Sequence, residues 1–226
     1  MTFFCFDDFY YDPDAVRDYA LNMDYDPLKD TGIFPGLRTT FLHNSDPEFF
    51  GEFCKKLFSL YTNDDLEWSI RTTFQKLPRF SEDKNSKLNE GWIHRDNSHM
   101  AAVVYLDPDP DPDSGTSFYA VKNGMKAPDM GYTNKLRNNF FCYDECDKAL
   151  YEKELVRNNS HFYKTAEIKN VYNRIIIYDA STYHTQTSCY TNGDFRLTQP
   201  VFMTCGSSIE SRPPWLKGIG SPACML

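Results

Sequence analysis

Along the first sixty or so residues the apolar positions recur at three- and four-residue spacing, and from Leu66 onward they fall in short stretches rich in β-branched and aromatic side chains. Val16, Tyr19, Ala20 and Met23 lie on one helical face, which predicts a helix capped by Asp14 and running to about Met23. Asp46 followed by Pro47 predicts a second helix to about Tyr61, with Phe49, Phe50, Phe53, Leu57 and Leu60 on its buried side. Ahead of both, Phe3–Asp12 alternates aromatics with acids and reads as an opening strand, and residues 27–35 read as a loop. Beyond Leu66 the pattern predicts strands at Trp68–Leu77, Gly91–His94, Met100–Leu106, Gly115–Ala120, Thr165–Lys169, Arg174–Tyr178, Tyr183–Ser188 and Phe195–Thr204. Asn192-Gly193 marks a turn before the last of them.

Two stretches break this rhythm. Asp107–Asp113 reads DPDPDPD, and proline at alternate positions cannot pair in a ladder. It lacks the ligand spacing and the glycine of an EF-hand loop, so a solvated hairpin loop is expected there. Val121–Tyr163 carries a Gly- and Pro-bearing loop, an aromatic cluster (Phe140, Phe141, Tyr143) and a short helix expected from Asp144 to about Leu155. A connection this long is read as a lid over the strand ends, with a surface excursion as the alternative.

The elements predict one domain over residues 1–226, mainly β with flanking helices. Residues 1–65 would supply two N-terminal helices backing one sheet. Residues 66–204 would form a double-stranded β-helix, a jelly roll of the cupin type, with 121–163 as an insertion and 205–226 as an irregular tail.

Composition narrows the function. With 41% hydrophobic and 16% aromatic residues in 226, a sizeable core can be built. The net charge of −8 and the absence of a basic cluster argue against a phosphate-tracking nucleic-acid surface. An acidic substrate would have to be held by a local Arg or Lys, since the global field repels it. The 7 cysteines are odd in number and scattered, with Cys142 and Cys146 the one close pair; no CxxC and no secretory segment follow Met1. Reduced thiols in a cytoplasmic protein are expected. Asn158-Asn159-Ser160 fits a glycosylation pattern that needs secretion, and no apolar run reaches the roughly 18–20 residues of a membrane span.

The chemistry centres on Gly91–Asp107, GWIHRDNSHMAAVVYLD. His94 and Asp96 are two apart, so in an extended chain imidazole and carboxylate project to one side. Such a donor pair suits a first-row transition metal, and two His with one carboxylate form a triad that leaves coordination positions open. His184, after RIIIYDASTY, is placed to arrive from a late strand as the third ligand. Arg196 opens the last strand twelve residues later, with Thr198 on the same face. An inward guanidinium behind a metal suits the far carboxylate of a chelating dicarboxylate. His99 is expected as a turn or surface histidine, and His43 and His161 lack any partner at ligand spacing.

These stretches, GWIHRDNS (Gly91–Ser98), VVYLD (Val103–Asp107), SGTSFY (Ser114–Tyr119), NRIIIYDASTYH (Asn173–His184) and FRLT (Phe195–Thr198), resemble the Fe(II)/2-oxoglutarate-dependent oxygenases, most closely their prolyl-hydroxylase-like branch. The resemblance covers roughly Trp68–Thr204. It implies that His94, Asp96 and His184 hold Fe(II), and that Arg196, assisted by Thr198 and Tyr105, binds the C5 carboxylate of 2-oxoglutarate. It further implies that 2-oxoglutarate and O2 are consumed, with succinate and CO2 released, as a C–H of a protein, peptide or amino-acid-like substrate is hydroxylated. Two departures stand out: Ser114-Gly115 replaces a Gly-Gly pair, and the insertion is long. For the residue touching the C1 carboxylate, Gln75 and Thr73 are upstream candidates. A non-catalytic cupin-like module binding metal or sugar, and a Zn(II) hydrolase built on the same three ligands, remain as alternatives. Neither needs the clamp formed by Arg196 and Tyr105.

Overall fold

A computed structural model describes residues 3–25, 34–61, 66–142 and 147–207. The N-terminal half begins with strand β1 (Phe3–Phe6), helix α1 (Pro13–Leu21), strand β2 (Leu37–Arg38) and helices α2 (Leu42–Ser45) and α3 (Pro47–Tyr61). Asp12, not Asp14, caps α1: its Oδ1 accepts from the Ala15 N–H, and Pro13 takes the first helical position, where no N–H is missed. Asp46 does the same for α3, accepting from the Phe49 N–H while its other oxygen accepts from the Tyr19 hydroxyl at 2.8 Å. One carboxylate therefore starts α3 and ties it to α1.

The β region contains β3 (Trp68–Thr72), β4 (Gln75–Leu77), β5 (Met100–Tyr105), β6 (Gly115–Val121), β7 (Phe162–Lys169), β8 (Ile175–Asp179), β9 (Tyr183–Gln186) and β10 (Arg196–Cys205). The chain is thus mainly β, in two antiparallel sheets with a few helices. Seven strands form one sheet in the order β1-β8-β5-β10-β4-β2, with β3 also on β10; the other sheet is β7-β6-β9. Trp68–Leu77, expected as one strand, is two, because β10 pairs β3 through Val201–Cys205 and β4 through Arg196–Thr198. The predicted strand Gly91–His94 is reduced to a single bridge, His94 with His184.

Period-two burial decides what each face of the large sheet meets. Met100, Ala102 and Val104 of β5, Ile175 and Ile177 of β8, and Leu197, Val201 and Met203 of β10 join Ala20, Phe53 and Leu57 of the helices in one core. The alternate residues, Ala101 and Tyr105, Ile176 and Tyr178, with Phe202 against them, meet Phe118 of β6 and Ile168 of β7 in a second core between the sheets. This second face carries the site.

The insertion contains more helix than the sequence suggests: α4 (Met130–Cys142) and α5 (Lys148–Asn159), with Asp147 as the cap of α5 and β7 starting at Phe162. Phe140 stacks on Tyr151 at 3.7 Å between centroids and lies near Phe80, while Tyr151 also packs on Trp92. The expected aromatic cluster thus docks, through Phe140, on the segment leading to His94; Tyr143 lies outside the described residues. The DPDPDPD loop is not wholly solvated either. Asp111 is buried, and Lys84 bridges it to Asp113, both at 2.9 Å. His99, expected at a turn or surface, is buried and accepts from the Cys205 N–H through Nδ1. Among the described residues Cys5, Cys54, Cys189 and Cys205 are free thiols, and no helix is long and apolar enough to cross a membrane. Cys146, Cys224 and the tail beyond Ser207 lie outside the described residues.

Candidate metal centre

His94 and His184 come together because the backbones around them pair: each N–H donates to the other residue's carbonyl, at 3.0 and 2.9 Å. Two residues on, the Asp96 N–H donates to the Ala180 carbonyl at 3.0 Å, which anchors the carboxylate beside both rings. Gly91, three residues upstream, permits this approach; a Cβ there would collide with Thr185 Oγ1 and the Gln186 carbonyl of β9. From the insertion, Asn158 Nδ2 donates to the Ile93 carbonyl and Asn159 Nδ2 to the Gly91 carbonyl, while the Ile93 N–H donates to Asn159 Oδ1. The end of α5 thereby holds the irregular chain that delivers His94.

His94, Asp96 and His184 each offer a ligand atom, and the three atoms lie within 4.8 Å of one another. Asp96 Oδ1 is 3.6 Å from His94 Nε2, and Oδ2 is 3.1 Å from His184 Nε2. Two donors at right angles, each about 2.1 Å from one ion, would stand about 3 Å apart, so the spacing suits a shared ion. The second hydrogen bond of each ring is also in place. His94 Nδ1 is 2.7 Å from the Trp92 carbonyl and His184 Nδ1 is 2.8 Å from that of Thr182. A carbonyl only accepts, so Nδ1 carries the proton and the Nε2 lone pair is turned inward, the tautomer a metal requires. Burial, reinforced by Arg137 and His184, pushes the His94 imidazolium down to about 3. Burial opposes the charge of Asp96, but His184, His94 and Arg137 outweigh it and hold the carboxyl well below the usual range. A neutral imidazole beside a carboxylate is the state that binds a cation.

The remaining predicted residues lie on the same inner face. Thr198 of β10 is in register with Tyr105 of β5 on one side and Gln75 of β4 on the other, and paired residues share a face. Arg196, two residues along, shares it too. Across the gap the Tyr105 hydroxyl is 2.8 Å from Thr116 Oγ1 of β6. Thr116 is two residues from Phe118, which is in register with His184. The co-substrate row and the metal row are therefore roughly 7 Å apart along the small sheet. Burial pushes the Tyr105 phenol up to about 12, against the opposing influence of Thr116 and Arg196, so it stays a neutral donor.

Arg196 is 5% exposed, and its one described hydrogen bond runs from Nη1 to the Ser188 carbonyl; Nε has no partner. Among the described residues no carboxylate stands at ion-pair distance from it, although Asp107 is near enough to feel its charge. A buried cation without a counter-ion is costly, and a bound carboxylate would supply one. Gln75 is not open to a ligand: its Oε1 accepts from Arg38, and its Nε2 donates to the Pro35 carbonyl. Thr73 Oγ1 is buried without a partner. Thr116, Asn158, Asn159, Arg38 and Arg137 escaped the sequence reading. Thr116 lay inside a quoted motif and Asn158 and Asn159 inside a glycosylation pattern, whereas nothing in the local pattern marks the two arginines.

The solved structures most like this one include HygX of Streptomyces hygroscopicus with nickel and 2-oxoglutarate bound (13% identity, 96% of this chain and 90% of that chain covered, TM-score 0.52). The same protein with nickel, 2-oxoglutarate and hygromycin B bound matches at 14% identity, over the same shares and with the same TM-score of 0.52. A prolyl-4-hydroxylase of Pseudomonas putida matches at 13% identity over 89% of this chain and 91% of that chain, with a TM-score of 0.42. The likeness to HygX is one of fold alone. A search of the curated proteins finds no match. The model of one sequence family, described as a family of unknown function (DUF6445), matches residues 2–188, and the chain belongs to that family.

Proposed function

We propose that the protein is a non-haem Fe(II)- and 2-oxoglutarate-dependent dioxygenase that hydroxylates a C–H of a protein, peptide or amino-acid-like substrate. One observation carries the reading. A metal-ready triad and a buried guanidinium with no counter-ion among the described residues lie on the inner face, linked through the Tyr105–Thr116 contact between the two sheets. HygX, which shares the fold, binds nickel and 2-oxoglutarate, and this supports carrying both ligands over. The two sheets are read as the halves of a double-stranded β-helix, with α1 and α3 backing the larger one, and residues 1–226 as one domain. The free thiols suit a reducing, cytoplasmic setting for Fe(II).

In this mechanism His94, Asp96 and His184 would hold iron on one side and leave positions open for co-substrate and O2. Bound iron would supply the redox chemistry that couples loss of CO2 from 2-oxoglutarate, giving succinate, to oxidation of the substrate. The chain does the rest. The carbonyls of Trp92 and Thr182 keep both imidazoles in the inward-facing tautomer. Arg196 pairs the distal carboxylate, and Thr198 and Tyr105 donate to its oxygens from a neutral, buried position. Tyr178, packed on His184 at 4.7 Å and on Phe118 at 5.2 Å, keeps water from the inner side of the triad. Asp96 occupies the position that a halide would need, which favours hydroxylation over halogenation.

The test is anaerobic titration of the protein with Fe(II) and then 2-oxoglutarate, followed by the visible absorption of the chelate and by succinate release on admitting air. One Fe(II) and one 2-oxoglutarate per chain, with slow succinate formation, is the expected result. Metal binding with no 2-oxoglutarate binding would overturn the reading in favour of the Zn(II) hydrolase, for which Arg196 has no use.

A further inference from the structure

A second guanidinium on the inner face has no counter-ion among the described residues. Arg38 belongs to β2, the edge strand next to β4, and is in register with Gln75, which is in register with Thr198. Arg38, Gln75, Thr198 and Tyr105 therefore form one row across the inner face of the large sheet. Nε and Nη2 of Arg38 both donate to Gln75 Oε1, at 3.3 and 3.1 Å. The Gln75 amide is fixed in turn by the Pro35 carbonyl. The guanidinium lies over the Phe34 ring at 3.9 Å and near the Phe202 ring at 5.6 Å. Held by one amide and packed against two rings, it is a rigid, half-buried cation. Among the described residues no carboxylate pairs with it, and Nη1 makes no hydrogen bond to the protein.

Its surroundings locate it. Phe202 is in register with Ala101, and Ala101 with Tyr178, whose ring packs on His184. Burial pushes the Arg38 guanidinium down to about 10, Asp96 opposes this, and Arg137 adds to it. Arg38 is thus close enough to the triad to feel Asp96 and close enough to α4 to feel Arg137, which is itself buried and acts on both Asp96 and His94. Arg38 thus borders the triad from an edge strand, in a chain whose net charge is −8.

We propose that Arg38 is the anion-recognition site for the primary substrate, so that the molecule oxidised carries a carboxylate, phosphate or sulfate group. This inference rests on the function proposed above. Arg196 would take the distal carboxylate of 2-oxoglutarate and the metal would chelate the proximal end, leaving Arg38 to the third anionic group in the site. Gln75 is a positioning residue, since it holds the guanidinium through Oε1 without meeting the ligand.

The experiment uses inorganic phosphate as the probe, titrated into the full chain loaded with Ni(II) and saturating 2-oxoglutarate and followed by calorimetry. Arg38→Gln, Arg38→Lys and Gln75→Leu are compared with the unmodified protein, each first shown to melt cooperatively. Phosphate should bind one per loaded chain and weaken at least tenfold in Arg38→Gln. Arg38→Lys should keep part of the affinity, and 2-oxoglutarate affinity should change less than threefold in all three variants. If phosphate affinity is the same in Arg38→Gln as in the unmodified protein, or if phosphate does not bind the loaded chain, the proposal is wrong. A tenfold or greater loss of 2-oxoglutarate affinity in Arg38→Gln would assign the guanidinium to the co-substrate and also overturn it. Failure of Ni(II) or 2-oxoglutarate to bind the unmodified protein would instead remove the functional reading on which the proposal stands.

Discussion

At the scale of single residues the site divides into side chains that bind and side chains that aim them. His94→Ala or His184→Ala should abolish stoichiometric Fe(II) or Mn(II) binding, measured by calorimetry, while the melting of the metal-free protein stays cooperative. Retained parental affinity in the double variant would show that the ion is held elsewhere. Arg196→Ala should weaken 2-oxoglutarate by about 3–5 kcal/mol, the usual cost of removing one partner of a buried pair, with metal affinity unchanged. Tyr105→Phe removes one neutral donor and should cost about 0.5–1.5 kcal/mol in the same titration. Equal losses for the two variants would contradict the division of labour between ion pair and hydrogen bond. The nearness of His94, Asp96 and His184 was legible in part from the sequence, since two residues apart in an extended chain means one side. Arg38 and Arg137 were not legible, since an arginine in a two-residue strand or mid-helix looks like any solvated cation until the tertiary fold turns it inward.

Elements show a similar split. The α3 helix was read from Pro47 to Tyr61 with its cap, because the Asp-Pro start and the Phe and Leu spacing act within a few residues of one another. Leu57, fully buried on its inner face, is a packing residue remote from the chemistry. Leu57→Ala should lower stability by about 2–5 kcal/mol in urea unfolding, with Mn(II) affinity of the folded protein unaltered. The segment 91–96 is the opposite case. It pairs at one bridge only, so its shape depends on Gly91 meeting β9 and on Asn158 and Asn159 meeting its backbone. Asn159→Ala should reduce metal affinity by roughly 10–100-fold, as loss of a residue supporting a ligand does, without a matching loss of stability. Unchanged affinity would show that Trp92 packing alone positions His94. The insertion's second helix therefore forms part of the wall of the candidate metal site. Replacing 121–163 by a linker should weaken metal binding as well as any substrate-dependent turnover.

For the whole molecule, ligands that bind only the folded state add RT ln(1 + [L]/Kd) to its stability. Mn(II) at a hundredfold excess over Kd should add about 2.7 kcal/mol, a further increment should follow 2-oxoglutarate, and a chelator should reverse both. In His184→Ala neither addition should move the melting temperature, and a shift there would point to nonspecific ion binding.

The amino-acid sequence by itself determined what depends on neighbours along the chain. It set the helical and extended periodicities, the cap at Asp46, the prolines that end pairing in DPDPDPD, and the candidate ligand pair His94 and Asp96, whose common direction follows from the two-residue repeat of extended backbone. Tertiary structure alone decided what depends on distance in space. It split Trp68–Leu77 between two stretches of β10, buried Asp111 under Lys84, and docked α5 on the segment before His94. It also brought Arg38 and Arg137, far apart in sequence, toward one carboxylate. The reason is physical: a local signal is written in the spacing of a few residues, whereas the charge and packing partner of a side chain are set by whichever surface the closed sheets place beside it.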